Sequence, residues 1–363
     1  MAWVTSKTRA SDNMRIPWYV NDRVIDKTAM RNTRVARRQE GRFFYTGAFI
    51  DLNAVRRTAA GSCKPITCNL RCSYCYNDIS LALPSDRLEL AEIRKVIDFA
   101  KERGAQVVVH AGFGEPLLDE VIWECLNYVY QQGMRLIVYT NGTLITPDKA
   151  LRLFTMNAAV IIKRNAIDDQ KQDQMVGVHG AGRRMWSGLQ YLLSQGFRSP
   201  RLAIDSLITE ENIEDIKGLL RFCRSEDILP YFETFVTTSP SYLTSGYTVP
   251  SQATVDRLFL ELQEIDRMEF GRNVCLREGM RVYGVEPCQK YRTMFNVRCN
   301  GDVGLAPHTP GLGNIRSKSL AEILQPTNPI ICNHILGGCR CSTTTSRLVE
   351  TEGGWLRGGH AGN

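Results

Sequence analysis

The sequence predicts an α/β fold built on a parallel sheet, and three observations carry that prediction. Short β-branched apolar runs recur between about residues 90 and 270, stretches with helical apolar spacing separate them, and the regularity stops after "RMEFG". The runs are "QVVVHAG", "RLIVYTN", "AVIIKRN", "RLAIDSLI" and "PYFETFV". Between them "LDEVIWECLNYVYQQG", "TPDKALRLF", "RRMWSGLQYLLSQG" and "NIEDIKGLLRFC" read as amphipathic helices, two of them closing on a glycine suited to a helix C-terminus. With one more strand expected ahead of residue 68, the chain holds about six strand–helix units. Right-handed crossovers then give a parallel sheet, either open or curled into a barrel.

Composition bounds the rest. A chain of 363 residues that is 43% apolar can bury one large domain and a smaller one. The opening "MAWVTSKTRASDNMRIPW" lacks the uninterrupted apolar core of a secretion signal, and no run approaches the roughly 18 apolar residues of a membrane helix. We therefore expect a cytoplasmic protein without a membrane partner, in which the 12 cysteines serve as thiols or metal ligands rather than disulfides. The net charge of +7 is modest, but basic residues crowd the first sixty or so positions, as in "RNTRVARRQEGR". Without interleaved aromatics or a finger motif, such an arm does not make nucleic acid an expected partner. The expected organisation is a basic extension at 1–58, the strand–helix domain at 59–271, a small Gly-, Cys- and Pro-rich domain at 272–345, and a disordered tail at 346–363.

The densest chemistry lies in "CNLRCSYCY", where Cys68, Cys72 and Cys75 follow a C-x3-C-x2-C spacing. A zinc site normally takes a fourth ligand nearby. Three thiolates suit a cubane iron–sulfur cluster with one iron left open. Unliganded thiols, or a zinc completed by a remote residue, are the alternatives.

This spacing, with Tyr74 just before the last cysteine, resembles the radical S-adenosylmethionine (SAM) superfamily. The resemblance implies a partial (β/α)6 TIM-like barrel with a small C-terminal α+β domain. It also implies a [4Fe–4S] cluster whose open iron chelates SAM, and reductive cleavage to a 5′-deoxyadenosyl radical fed by a flavodoxin or ferredoxin-type donor. "GFGEP" follows a predicted strand and matches the family's loop for the SAM amino group. This marks Gly112, Gly114, Glu115 and Pro116 as cofactor-binding residues. Glycines let backbone carbonyls approach an ammonium, and Glu115 supplies countercharge.

Further candidates close the later strands, where sites of parallel strand–helix folds gather. "YTNG" brings Asn141. On "IIKRN", alternation puts Lys163 and Asn165 on one face and Arg164 on the other. Lys163 and Asn165 would reach the SAM carboxylate, its ribose or the substrate. Asp205, Ser206 and Glu233 follow on the next strands. Lys163 or Glu233 is the expected base, with Asp205 beside them as a catalytic candidate. Cys223 or Cys275 would be the hydrogen donor of an epimerase, although Cys125 and Cys223 also read as small core residues of helices. Cys63 fits either role.

Downstream, "CQKYRTMFNVRCNGDVGLAPHTPGLGNIRSKSLAEIL" resembles the SPASM and twitch extensions, in which a hairpin and a helix bind auxiliary iron–sulfur clusters. Asn300 and Gly301 form the expected turn, with Cys299 opposite Asp302. The family's cysteine after the hairpin is Ala306 here, so one auxiliary cluster is expected. Its ligands would be Cys288, Cys332, Cys339 and Cys341, with Cys275 and Cys299 in reserve and His308 as a nitrogen candidate. The expected function is oxidation or epimerisation of a small polar metabolite, of sugar or aminocyclitol type. The alternatives are radical modification of a ribosomally made peptide and a non-catalytic iron–sulfur carrier. The intact "GFGEP" argues against the last, since a carrier needs no SAM pocket.

Overall fold

The computed structural model describes residues 47–50, 56–57, 63–64, 68–75, 88–105, 107–111, 114–119, 121–235, 244–272, 294–305, 311–325, 327–328 and 330–331. The first strands are β1 (Gly47–Ile50), β2 (Arg56–Arg57) and β3 (Cys63–Lys64), the last two forming a small antiparallel ladder. Strands and helices then alternate: α1 (Leu90–Glu102), β4 (Val107–His110), α2 (Ile122–Gln131), β5 (Arg135–Thr140), α3 (Pro147–Thr155), β6 (Ala159–Lys163), α4 (Asp169–Val176), α5 (Ala181–Ser194), β7 (Leu202–Leu207), α6 (Ile213–Ser225), β8 (Leu229–Glu233) and α7 (Gln252–Phe270). A hairpin of β9 (Met294–Val297) and β10 (Asp302–Gly304) follows, then β11 (Gly313–Asn314) and α8 (Leu320–Ile323).

The main sheet runs β11-β10-β9-β1-β4-β5-β6-β7-β8. From β9 to β8 every neighbouring pair is parallel. This is the partial TIM-like barrel, and its strands are apolar on both faces because helices cover one and the lumen closes over the other. On the helix side Val108, Val138, Ile162, Ile204 and Phe232 join the main core. On the lumen side Val107, Val109, Ile137, Ile161, Ala203 and Tyr231 form a smaller cluster.

Backbone approach and buried charge fix the outer layer. A Cβ on Gly188 of α5 would stand 2.1 Å from the Gly142 carbonyl oxygen, so the helix rests directly on the turn after β5. Asp266 of α7 is fully buried and takes a fork of two bonds from Arg224 of α6, at 2.6 and 2.7 Å. No helix among the described residues is long and apolar enough to cross a membrane.

The structure departs from the sequence reading in four places. β1 lies inside the 1–58 segment assigned to a basic extension, and it pairs with β4, so the sheet begins before residue 59. β9 adds in parallel to β1, so the hairpin of the 272–345 segment extends the barrel's own sheet. Cys299 does not pair with Asp302. Arg298 does, with its N–H on the Asp302 carbonyl at 2.8 Å, so the turn takes in Cys299 as well as Asn300 and Gly301, the last at φ 88°. A three-residue loop closed by a left-handed glycine is the next commonest hairpin after the two-residue form. Helix α4 was unforeseen, because "DQKQDQMV" carries apolar residues only at its end.

Candidate functional site

The cysteine loop is held by its neighbours in space. Arg71 N–H donates to the Val176 carbonyl at the end of α4, at 2.8 Å. The next residue, Gly177, is left-handed, and a Cβ there would stand 2.7 Å from the Arg71 carbonyl oxygen. Arg71 also turns its guanidinium onto the Cys68 and Leu70 carbonyls, at 3.0 and 2.7 Å. Ser73 donates to the Ser245 carbonyl at 2.6 Å. The loop is thereby clamped from both sides before any ligand arrives.

Cys68, Cys72 and Cys75 are each partly exposed. Burial pushes the Cys68 thiol up to about 11 and the Cys72 thiol up to about 12, with the other thiols of the loop adding to both shifts. The phenol of Tyr74, raised well above its usual range by burial, lies beside the Cys72 thiol and lowers it in part. Its ring packs with Ala166, Met175, Leu207 and Phe235, edge-on to Tyr247. Tyr74 therefore supports the loop from beneath. Among the described residues no three His, Cys, Asp or Glu side chains are placed to hold a single metal ion.

Gly114, at φ 130°, opens the second loop, Pro116 starts a short 3₁₀ turn, and Gly112 lies outside the described residues. Glu115 is 1% exposed. Its carboxylate accepts from Leu117 N–H at 3.0 Å, Thr140 hydroxyl at 2.7 Å and Asn141 N–H at 2.7 Å. Burial still raises its pKa. Both oxygens are thus engaged by the protein, and Glu115 anchors the loop to the end of β5 instead of standing free as countercharge.

The same strand end reaches the cysteine loop. Asn141 Nδ2 donates to Asn69 Oδ1 at 2.8 Å, Asn69 Nδ2 donates to Thr143 Oγ1 at 2.8 Å, and the Thr143 hydroxyl returns to Asn141 Oδ1 at 2.7 Å. Asn69, Thr140 and Thr143 were missed by sequence reasoning. Their only signal was a run of small polar residues after a strand and an asparagine inside the cysteine motif.

Across the lumen, Lys163 of β6 lies in register with Asp205 of β7. Its ammonium stands 3.2 Å from Asp205 Oδ1 and 3.2 Å from Glu233 Oε1. Burial pulls Lys163 down, but the two carboxylates outweigh it and hold the ammonium above the ordinary lysine value. Lys163 is thus drawn into ion pairs with both carboxylates, and Glu233 stays partly open to solvent.

Ser206 turns the other way. Its hydroxyl is fully buried and donates to the Arg164 carbonyl at 2.5 Å, away from the Lys163 face. Arg164 takes the outer face as alternation requires, tying the Gly182 and Ile167 carbonyls and Asp169 together beneath Trp186. Asn165 is buried at the end of β6 with Oδ1 accepting from Leu207 N–H at 2.8 Å, while its Nδ2 has no partner. Gln172, also missed, holds the Asn165 and Ala166 N–H groups at 2.9 and 3.0 Å.

Cys125 and Cys223 are fully buried in the helix-side core. Burial pushes the Cys223 thiol up, and its position behind the sheet corrects its candidacy as a hydrogen donor to the lumen. Cys275, Cys288, Cys332, Cys339, Cys341, Ala306 and His308 lie outside the described residues.

Comparison with known proteins agrees with this geometry. Residues 66–223 match the Radical SAM superfamily. The AdoMet-dependent heme synthase of Nitratidesulfovibrio vulgaris is 26% identical over 158 residues, 43% of this chain and 42% of that protein. The mycofactocin maturase MftC of Mycobacterium tuberculosis is 27% identical over 150 residues, 41% of this chain and 37% of that one. The matched stretch is thus under half the length of either relative. Among solved structures, Streptococcus suis SuiB bound to its precursor peptide SuiA superposes with TM-score 0.64 at 17% identity, covering 83% of this chain and 69% of SuiB. SuiB bound to S-adenosylmethionine gives 0.62 at 18% identity, covering 85% and 72%. Residues 66–223 thus match the Radical SAM superfamily, whose members use a [4Fe–4S] cluster and SAM. The residues fit the group: three soft thiol donors share one clamped loop, and an unpartnered buried amide, Asn165 Nδ2, waits at a neighbouring strand end.

Proposed function

We propose that the Radical SAM domain at 66–223 makes this protein an enzyme that reductively cleaves SAM and abstracts hydrogen from an organic substrate. One observation carries the reading. The cysteine loop and the Glu115 loop are hydrogen-bonded to the same strand end, β5, at the carboxyl edge of the barrel where sites of this architecture form. When bound, the cluster and SAM supply a 5′-deoxyadenosyl radical. Cys68, Cys72 and Cys75 hold the cluster. Gly112, Gly114 and Pro116, anchored by Glu115, shape the place of the SAM amino group. Lys163 and Asn165 take the carboxylate or ribose, and Glu233, steadied by Lys163 beside Asp205, receives the substrate proton. A flavodoxin or ferredoxin-type protein delivers the electron.

For the substrate, the likeness to SuiB with its peptide and to a mycofactocin maturase favours radical modification of a ribosomally made peptide or protein side chain. A small polar metabolite is the second reading, supported by the lumen's charged trio, which suits hydroxyl- or amine-bearing molecules. The domain plan behind both is the barrel followed by a segment at 272–345 that binds one auxiliary cluster through Cys288, Cys332, Cys339 and Cys341.

The test is anaerobic reconstitution followed by dithionite and SAM, with 5′-deoxyadenosine as the readout. Deuterated peptide and deuterated metabolite candidates then separate the readings: deuterium entering 5′-deoxyadenosine from one class assigns the substrate. No 5′-deoxyadenosine from a protein with its cluster assembled would end the proposal.

A further inference from the structure

The cysteine loop and the Glu115 loop belong to different strand–helix units, yet they share one hydrogen-bonded circuit. Asn69 stands inside the cysteine motif, one residue after Cys68. Its side chain both gives and receives: Nδ2 donates to Thr143 Oγ1, and Oδ1 accepts from Asn141 Nδ2, each at 2.8 Å. Thr143 closes the ring onto Asn141 Oδ1 through its hydroxyl at 2.7 Å and its N–H at 2.9 Å. The backbone N–H of the same Asn141 donates to Glu115 at 2.7 Å, and Glu115 in turn holds Leu117 N–H at 3.0 Å.

Every member is neutral except Glu115, and Asn141 and Glu115 are both buried. Such circuits couple their ends, because each bond fixes the geometry of the next in a low-dielectric setting. Arg71 and Ser73 fasten the far side of the cysteine loop to α4 and to Ser245. The side toward β5 is fastened by Asn69.

We infer that Asn69 is a positioning residue that, through Asn141 and Glu115, sets the distance and angle between the cluster-bearing cysteines and the SAM-binding loop. The inference rests on the function proposed above. Asn69 touches neither SAM nor the reacting atoms on this account. Its work is to keep two loops in register so that SAM meets an iron already in place.

The experiment compares wild type, Asn69→Ala, Thr143→Val, and the double variant, each full-length and anaerobically reconstituted. Thr143→Val removes the acceptor of Asn69 Nδ2 without changing any residue of the cysteine loop and keeps the side-chain shape, so it reports even where Asn69→Ala fails to assemble a cluster. Two readouts besides activity are taken: iron and sulfide content, and the change in the reduced cluster's EPR spectrum as SAM is titrated. We expect unchanged iron, with the SAM concentration for half of the spectral change rising about tenfold, the factor that corresponds to losing roughly 1.4 kcal/mol. We further expect the double variant to bind SAM no worse than the weaker single variant, since both break one circuit. SAM titrations that match wild type in the variants, or effects that multiply in the double variant, would overturn the inference. If wild type itself, with its cluster assembled, shows no SAM-dependent spectral change, it is the proposed function that fails.

Discussion

The two halves of the barrel mouth treat charge in opposite ways. At the ends of β4 and β5, Glu115 is buried with its oxygens taken up by three donors, the Thr140 hydroxyl among them, and its neighbours Asn69, Asn141 and Thr143 are bonded to one another. At the ends of β6, β7 and β8, Lys163 meets Asp205 and Glu233 at 3.2 Å contacts, with Lys163 and Glu233 partly exposed above a buried Asp205. The first half is finished before a ligand arrives. The second is a set of charges with room left over. A frame that must hold a cluster and a cofactor at fixed separation calls for the first kind of construction, and a mouth that must accept a substrate calls for the second.

Breaking the closed half should have the largest cost. Glu115→Gln replaces an acceptor by an amide that cannot accept from all three donors, and leaving one unmet in the interior costs roughly 3 kcal/mol. Urea denaturation should show this loss directly, and an unchanged midpoint would contradict the anchoring role. Gly188→Ala pushes a methyl into the Gly142 carbonyl at 2.1 Å, beneath the same β5 turn. Overpacking of this kind costs about 2 kcal/mol, seen as a lowered melting temperature.

His110 sharpens the comparison through pH. It is fully buried at the end of β4, neither ring nitrogen has a hydrogen-bond partner among the described residues, and burial lowers its pKa from 6.5 to about 3. The folded state therefore refuses a proton that the unfolded chain accepts. Above pH 6.5 the effect is absent; as pH falls toward 3 it takes stability away. Relative to His110→Leu, the wild type should lose about 2 kcal/mol between pH 7 and pH 5, measured by urea midpoints at each pH. Parallel pH profiles for the two proteins would place a proton acceptor in the half argued to be closed to charge.

The open half should yield the smallest change in stability. Glu233→Gln removes only the partly exposed partner of Lys163 and leaves the ammonium on buried Asp205, so stability should move by less than about 1 kcal/mol. Turnover, by contrast, should fall at least about tenfold, a loss of roughly 1.4 kcal/mol in transition-state binding. A large drop in melting temperature would mean that the trio is structural and the contrast between the halves is wrong.

What the sequence disclosed follows from the range of each interaction. The central strands were legible because "VVVH", "RLIVYT" and "LAIDSL" are local apolar runs, and the cysteine motif because its three thiols lie within eight residues. Helix α4 was not, since its polar face dominates and its stability comes from the cysteine loop packed on its end. The strand expected ahead of residue 68 is β1, but its place within a basic stretch is fixed only by its pairing with both β4 and β9. The Asn69 circuit joins residues 72 and 74 positions apart. Nothing local to either partner encodes it. Ser206 shows a different limit: alternation puts it on the face opposite Asp205, where its hydroxyl meets the Arg164 carbonyl, so a polar residue at a strand end need not face the lumen.

The central claim is that Cys68, Cys72 and Cys75 hold the cluster that cleaves SAM. It is tested most directly by assaying 5′-deoxyadenosine after anaerobic reconstitution and reduction, in wild type and in Cys72→Ala. The account predicts product from the wild type and none from the variant, with any iron held by the C-terminal segment retained. Product from Cys72→Ala, or none from a wild type whose cluster is assembled, would contradict it.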